Sequence, residues 1–524
     1  MTKGKRLFIL LIFLFVSPRN TYAQEEDSKI RPSLVLMSLS AHPDDEGGAT
    51  LAYYSKIKGI KTYSIFLTRG EGGQNEIGSD LYEELGILRT KETLEAAKIL
   101  GTEVYFLGFP DFGFSKTANE TFTMWGGKDS AVAQLVYYIR VFKPDVIITN
   151  HDTITAKPNR QHGHHQAVGI SAYEAFEKAS DPSYHPEQFQ NDILPWQPKK
   201  LFVRYFDRDS MLIKRPLVTT NVNQKDSVGN SVYDIALLAW QQHRSQGMLR
   251  ISRLQRYYLL RQNNNYLFDT TNLFSGINPS PKEPVQIKGQ VLTPHVSATT
   301  IAGITKATAK HSENIHAGLV KTYDDTIEEI LKTFNIKYTL LDSSRLTTEN
   351  LNQYSVILLD LRTYQYRSDA VRYNSKLLEY VWNGGNITTF YHKQNDWNGK
   401  NVSPYPITLT GERVTEEDAP VTMLLPDHPL FTTPNSMKAD DWNGWIHERS
   451  IYLPSNDKTK TSSKYQRLLS MSDTDEQQPP TSLLWAQYGK GTYTYCSIAL
   501  YRQLRISNDD AMKLFFNMIS QPRR

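Results

Sequence analysis

Two rhythms of apolar and polar positions alternate along the chain. Residues 33–40 (SLVLMSLS) form a short, nearly continuous apolar run, the pattern of a buried strand. The run breaks at 41–48 into polar, glycine-bearing sequence, and helical spacing follows through Tyr54 to Lys58. Residues 61–67 read as a second strand, closed by 68–73. Leu and Ala recur at helical spacing over 85–100, 103–107 reads as a third strand, 131–142 as a helix and 144–149 as a fourth strand. This alternation predicts a parallel sheet with right-handed crossovers. The polar, glycine-rich segments fall where the strands end, the edge at which open α/β sheets bind ligands.

Helical spacing continues over 168–178 and 232–261. Asn, Pro, Ser and Gly then dominate, and 276–312 is expected to be a linker. A second α/β rhythm follows: a helix at 326–334, strands at 337–341 and 356–361, a helix at 375–382, strands at 386–390 and 492–500, and a helix at 509–519. The expected fold class is therefore α/β. A Rossmann-like parallel-sheet domain spans 30–275, and a second, flavodoxin-like α/β domain spans 313–524. A length of 524 residues suits this division.

Composition narrows the chemistry. Hydrophobic residues make up 39% and charged residues 22%, a globular balance. The formal charge is +4, but the first 23 residues hold Lys3, Lys5, Arg6 and Arg19 and no acid. Removing these from the 59 basic residues leaves 55, equal to the 55 acidic ones, so bulk charge argues against nucleic acid as a partner. Residues 7–16 (LFILLIFLFV) are too short an apolar run to span a bilayer comfortably. With Thr21-Tyr22-Ala23 before Gln24 they fit a secretory signal peptide over 1–23; an uncleaved anchor is the alternative. The mature chain is expected to be exported, periplasmic or secreted, without a stable membrane anchor. The lone Cys496 excludes an intramolecular disulfide and any multi-cysteine metal site, so a metal must rest on His and carboxylates.

Such a set is present. His42, Asp44 and Asp45 lie in one turn after the first strand, and His162 and His165 lie three apart after the fourth. Each piece alone is ordinary: a polar turn, a surface His pair. Two strand-end loops of one parallel sheet can converge, however, and His plus carboxylate suits a catalytic zinc with three protein ligands and an open water position.

These residues lie in blocks that resemble the LmbE-like, or PIG-L, zinc N-deacetylases. Ala41-His42-Pro43-Asp44-Asp45-Glu46 looks like the family signature, and Thr68-Arg69-Gly70-Glu71-Gly72-Gly73-Gln74 its second block. Leu88-Arg89-Thr90-Lys91-Glu92, Leu107-Gly108-Phe109-Pro110-Asp111 and Gln161-His162-Gly163-His164-His165-Gln166-Ala167 follow in family order. The resemblance implies His42, Asp45 and His165 as ligands of a Zn2+ cofactor and Asp44 as general base. It implies His162, in protonated form, as oxyanion stabiliser or acid. It implies Arg89, Asp111 and Gln74 as contacts to an N-acetylated amino sugar or glycan; an Arg89–Glu92 helix salt bridge and a turn carboxylate are the plainer readings. Gly163-His164 departs from the Pro-Asp common in the family, and Asp152 is the candidate to replace that Asp as the partner of a ligand. Gln241-Gln242-His243-Arg244-Ser245-Gln246-Gly247 resembles a motif of longer exported members, although a solvated helix face is the simpler expectation. The implied activity is hydrolysis of the N-acetyl group by metal-activated water. The alternatives are a glycan-binding protein with an inactive deacetylase-like domain and a zinc amidohydrolase acting on a non-sugar amide.

Residues 313–524 resemble a class I glutamine amidotransferase-like domain in element order alone. The strand at 386–390 leads into Tyr391-His392-Lys393 with no cysteine nucleophile, and Cys496 lies in a strand, so this domain is expected to be non-catalytic. Every element of the proposed zinc site lies within 1–275, so the chemistry is not expected to need the second domain. Asp396-Trp397-Asn398-Gly399 and Asp441-Trp442-Asn443-Gly444 repeat a turn-like tetrad. Trp442, Trp445 and His447-Glu448-Arg449 are candidates for a glycan or interdomain surface, with Trp packed under a loop as the alternative.

Overall fold

The computed structural model describes residues 32–152, 161–190, 193–206, 214–247, 250–282, 304, 307–479 and 481–523. The expected leader, and most of the expected linker, lie outside the described residues. Two α/β domains are present.

In the first, strands β1 (Val35–Ser40), β2 (Lys61–Phe66), β3 (Glu103–Phe106), β4 (Val146–Thr149), β5 (Lys200–Tyr205), β6 (Leu217–Thr219) and β7 (Arg256–Gln262) form one sheet in the order β3-β2-β1-β4-β5-β7-β6. The first five in that order are parallel, and β7 runs antiparallel to both β5 and β6. β1 is buried at every position, which explains its unbroken apolar run. Helices α1 (Gly48–Ala52), α2 (Tyr82–Leu100), α3 (Ala118–Met124), α4 (Lys128–Phe142), α5 (Gly163–Lys178) and α6 (Val232–Trp240) pack on the two faces. β1 and β4 are neighbours although two strands separate them in the chain. Their C-terminal ends therefore flank a crevice where the connections diverge.

Two expectations need correction here. Residues 232–261 are not one helix: α6 stops at Trp240, a 3-10 turn spans Arg244–Gln246, and Arg256–Gln262 is a strand. Pairing with β5 and β6 decided the state of a Leu/Tyr run that suits either period. The sheet is consequently mixed rather than wholly parallel.

The second sheet contains β8 (His316–Val320), β9 (Lys337–Leu340), β10 (Val356–Leu359), β11 (Asn386–Thr389), β12 (Val421–Met423), β13 (Gln466–Met471), β14 (Leu483–Tyr488) and β15 (Gly491–Cys496). Its order is β9-β8-β10-β11-β15-β14-β13-β12. The five parallel strands β9-β8-β10-β11-β15 have flavodoxin-like order, and β14, β13 and β12 extend them antiparallel. The last strand ends at Cys496, and Leu500 opens a short helix, so the strand expected over 492–500 is four residues shorter at its end. Among the described residues no helix is long and apolar enough to cross a membrane.

Trp442 and Trp445 are 3% and 2% exposed, with rings 5.1 Å apart, which removes them from the glycan-surface candidates. Both tetrads are turns as expected. Asp396 and Asp441 accept from the amides of Lys393 and Lys438, capping short helices whose Trp397 and Trp442 rings point inward.

Candidate metal centre and active-site cleft

The turn after β1 and the loop after β4 meet in front of the sheet. His42 Nδ1, Asp45 Oδ2 and His165 Nε2 form a triangle with sides of 3.3, 3.2 and 3.3 Å. Donors about 2.0–2.1 Å from a tetrahedral centre stand roughly 3.3 Å apart. The His/carboxylate triangle therefore has the size and chemistry of a three-ligand site for zinc. The turn is tight: the Asp45 amide donates to the His42 carbonyl, and the His42 amide donates to Asp45 Oδ2. Asp44 sits at φ +94°, a strained conformation for a side-chain-bearing residue, which lets adjacent carboxylates serve different purposes.

Their electrostatics diverge as well. Burial pushes the Asp44 carboxyl well above the usual range, reinforced by Asp45 and Glu46 and opposed by Arg89. Burial acts on Asp45 in the same sense, but His165, His151 and His42 outweigh it and hold Asp45 well below that range. Two neighbouring carboxyls are thus pushed in opposite directions. Burial, together with His165, His42 and His164, holds His162 well below the imidazole range.

His164 and Gly163 replace Pro-Asp for visible reasons. The Gly163 amide donates to Ser115 O at 2.7 Å, which proline cannot do, and a Cβ there would lie 2.2 Å from Thr117 O. His164 is fully buried, stacks on Trp125, and brings Nδ1 to 3.4 Å from His42 Nε2. Asp111 Oδ2 lies 3.7 Å from the same His42 nitrogen. Asp111, expected to contact sugar, thus also stands where a carboxylate orients a ligand histidine.

His151 was missed. Its Nε2 accepts from the Ala41 amide at 3.0 Å and lies 3.6 Å from Asp45 Oδ2, so this residue, one before the anticipated Asp152, adjoins the triangle. No sequence signal singled it out, since it lies ten residues before the closing block. The overlapping sets His42/His162/His165, Asp45/His151/His165 and His42/Asp111/His164 each gather donor atoms within 4.8 Å.

Arg89 does not pair with Glu92. Its guanidinium donates to the carbonyls of Gly70 (2.6 Å) and Gln74 (2.9 Å), fixing the glycine-rich loop after β2. Gly72 in that loop has no room for a Cβ, which would lie 2.3 Å from Gly113 N. Glu92 instead accepts from the Ser245 amide and hydroxyl at 2.9 and 2.6 Å. The 241–247 motif is therefore not a solvated helix face. His243 and Ser245 are fully buried, His243 Nε2 lies 3.4 Å from Glu46, and Gln246 donates to the Pro43 carbonyl.

The second domain closes the other side. Arg362 and the Tyr366 hydroxyl reach Glu76, each at 2.8 Å, and Arg502 donates to the Gly72 carbonyl at 2.8 Å. The Phe114 amide donates to Glu448, and His447 packs on Tyr82, so the interdomain role anticipated for 447–448 is realised. The resulting cleft, about 330 Å³, is lined by His42, Asp44, Gln74 and Arg89 from one domain and by Lys393 and Arg413 from the other, among others. The expectation that 1–275 makes a self-sufficient site left these second-domain residues out. A wider groove of about 1300 Å³ along β3 contains none of the histidine cluster. Cys496 is fully buried, and burial pushes its thiol up to about 12.

Comparison with known proteins bears on this segment. A mycothiol S-conjugate amidase of Streptomyces coelicolor is 34% identical over 182 residues, covering 32% of this chain and 60% of the relative. A 1D-myo-inositol 2-acetamido-2-deoxy-alpha-D-glucopyranoside deacetylase of Geodermatophilus obscurus is 31% identical over 175 residues, covering 30% and 57%. The chain thus spans about 60% of the length of these curated relatives. Among solved structures, an N,N'-diacetylchitobiose deacetylase from Pyrococcus horikoshii is 21% identical with a TM-score of 0.30, covering 40% of this chain and 70% of that one. Residues 37–176, which carry both strand-end loops of the histidine–carboxylate cluster, match the family model described as PIG-L: GlcNAc-PI de-N-acetylase.

Proposed function

We propose that this protein is an exported, zinc-dependent hydrolase that removes an N-acyl group, acetyl above all, from an amino sugar or glycan. One observation carries the reading: the equilateral triangle of His42, Asp45 and His165 donors, with the Asp44 carboxyl beside it. The match of that segment to a de-N-acetylase family, and relatives named as an amidase and a deacetylase, support it. The apolar run at 7–16 supports export.

Zinc held by His42, Asp45 and His165 would polarise the amide carbonyl and bring water toward a pKa of ~7. The remaining work falls to the chain. Asp44, its basicity raised by burial, takes the proton of the attacking water and returns it to the departing amine nitrogen. His162, which lines the cleft beside the triangle, donates an N–H to the carbonyl oxygen as charge develops there. Asp111 and His164 hold the far nitrogen of His42. Gln74 and Arg89 line the cleft where the sugar would sit. The second domain is read as an amidotransferase-like fold without a nucleophile, since no accessible thiol stands at a strand end.

The test is acetate release from N-acetylated monosaccharides and glycan fragments by purified protein before and after chelation. Loss on chelation and recovery with added zinc are expected. Glycan binding by folded, zinc-replete protein without acetate release would select the binding-protein alternative instead. An N-terminus at Gln24 in protein recovered from the periplasm or medium checks the leader.

A further inference from the structure

The outer wall of the cleft belongs to the second domain and is built for more than closure. Arg413 donates to Glu448 Oε1 at 2.9 Å and to the Tyr452 hydroxyl at 3.0 Å. Its guanidinium lies 4.5 Å from the Phe114 ring centre and 4.7 Å from that of Tyr452. The Phe114 ring is in turn 5.2 Å from His162. A row of planar groups thus leads outward from the histidine cluster across both domains. Tyr452 is held at φ +52°, a left-handed setting that costs a side-chain-bearing residue energy.

The wall carries surplus positive charge. Glu448 alone answers two guanidinium groups, Arg413 at 2.9 Å and Arg502 at 3.1 Å. Glu76 already accepts from Arg362 and Tyr366, leaving Lys393 at 3.5 Å. Of the second-domain residues that line the cleft, three are cations, Lys393, Arg413 and Arg502, and one is a carboxylate, Glu448. Arg502 is 1% exposed and lines the cleft, and its Nη1 and Nε have no hydrogen-bond acceptor among the described residues. Buried guanidinium N–H groups without acceptors are costly, and a planar fork suits an oxyanion.

Building on the deacetylase reading, we propose that Arg413, Tyr452 and Arg502 form the substrate-selecting wall. They select an N-acylated amino sugar that carries an anionic group on the side away from the amide. The reacting groups stay on the first domain, and the second discriminates by charge and ring stacking. A cleft of about 330 Å³ has room for one such sugar.

Full-length, zinc-loaded protein is tested with three probes: N-acetylglucosamine, N-acetylglucosamine 6-phosphate and N-acetylmuramic acid. Each is followed by acetate release and by calorimetric binding. The acidic sugars are expected to show kcat/KM at least about tenfold above the neutral one, mainly through KM, with binding tighter by a similar factor. The two acidic probes separate a phosphate from a carboxylate preference. Arg413→Ala should bring the acidic-to-neutral ratio toward one, and Arg413→Lys should restore part of it. A merely structural role would depress all sugars alike and leave the ratio unchanged. Equal binding of acidic and neutral sugars, or binding of none, overturns the proposal. A preserved binding preference without acetate release supports the wall and overturns the deacetylase reading alone.

Discussion

Two strand-end edges face each other across one cleft, and they use similar topology for opposite purposes. On the first domain, the loops after β1 and β4 bring histidines and carboxylates to within 3.2–3.3 Å, aimed at open space. On the second, the ends of β8 and β10 bury Asp324 and Asp360, whose partners are backbone amides and hydroxyls: Asp360 accepts from Thr322 and the Leu361 amide. One edge gathers the histidine–carboxylate cluster, and the other bonds its buried carboxylates to its own chain while Arg362, Tyr366, Lys393, Arg413 and Arg502 face across. An α/β edge supplies a place, while loop side chains decide whether that place reacts or recognises.

The sharpest way to break this contrast is at the triangle. His42→Ala or His165→Ala should abolish zinc binding and all turnover, read by metal analysis and acetate release; a variant retaining both removes that residue from the ligand set. Asp44→Asn should retain zinc while kcat falls ~10²–10⁴-fold. If metal is lost instead, Asp44 and Asp45 have exchanged roles. On the facing edge, Glu448→Ala leaves the buried Arg502 and the half-buried Arg413 without their shared partner, and breaking a buried pair costs ~3–5 kcal/mol. A melting-temperature fall of roughly 10 °C is expected, and an unchanged melt would mean that the wall bears no structural load. Behind the reactive edge, Ser245→Ala removes one of two bonds to Glu92 and should cost ~1–3 kcal/mol in a denaturant titration, with zinc retained.

The smallest effect concerns pH. Burial, then Asp324, pushes Asp360 up to about 7. An acid with a raised folded pKa contributes most below the unfolded value of ~3.9, and that stability drains away as pH rises to about 7. From pH 5 to pH 8 the melting temperature should therefore drop relative to that of Asp360→Asn. Equal slopes would show that this carboxyl is not held protonated by the fold.

Much of the reactive edge was legible because it is local. His42, Asp44 and Asp45 share a turn, His162 and His165 share a helix start, and alternating rhythms placed both at strand ends of one sheet. The second α/β domain followed from the same rhythm, and its flavodoxin-like character from a resemblance in element order. What escaped depends on distant chain segments. His151 matters only because Ala41 and Asp45 pack against it. The 241–247 motif resembles a wet helix until Glu92, Glu46 and Pro43 are seen to receive it. Trp442 and Trp445 sit among Asp, Asn and Gly, yet those polar neighbours form the turns while the rings turn inward. The cleft wall was illegible for a stronger reason: Arg413 and Arg502 gain their meaning from domain docking, which no local period encodes.

The seam itself has a consequence in time. Arg502 holds the carbonyl of Gly72, the Tyr82 hydroxyl donates to the carbonyl of Arg502, and the Phe114 amide holds Glu448. Two of these bonds involve main-chain atoms of cleft loops, at Gly72 and Phe114, so parting the domains would disturb the first domain's edge in the same motion. Any opening of the domains for ligand exchange would then loosen the Gly72 loop with it. A turnover limited by that event would respond to solvent viscosity and be indifferent to the acyl group removed.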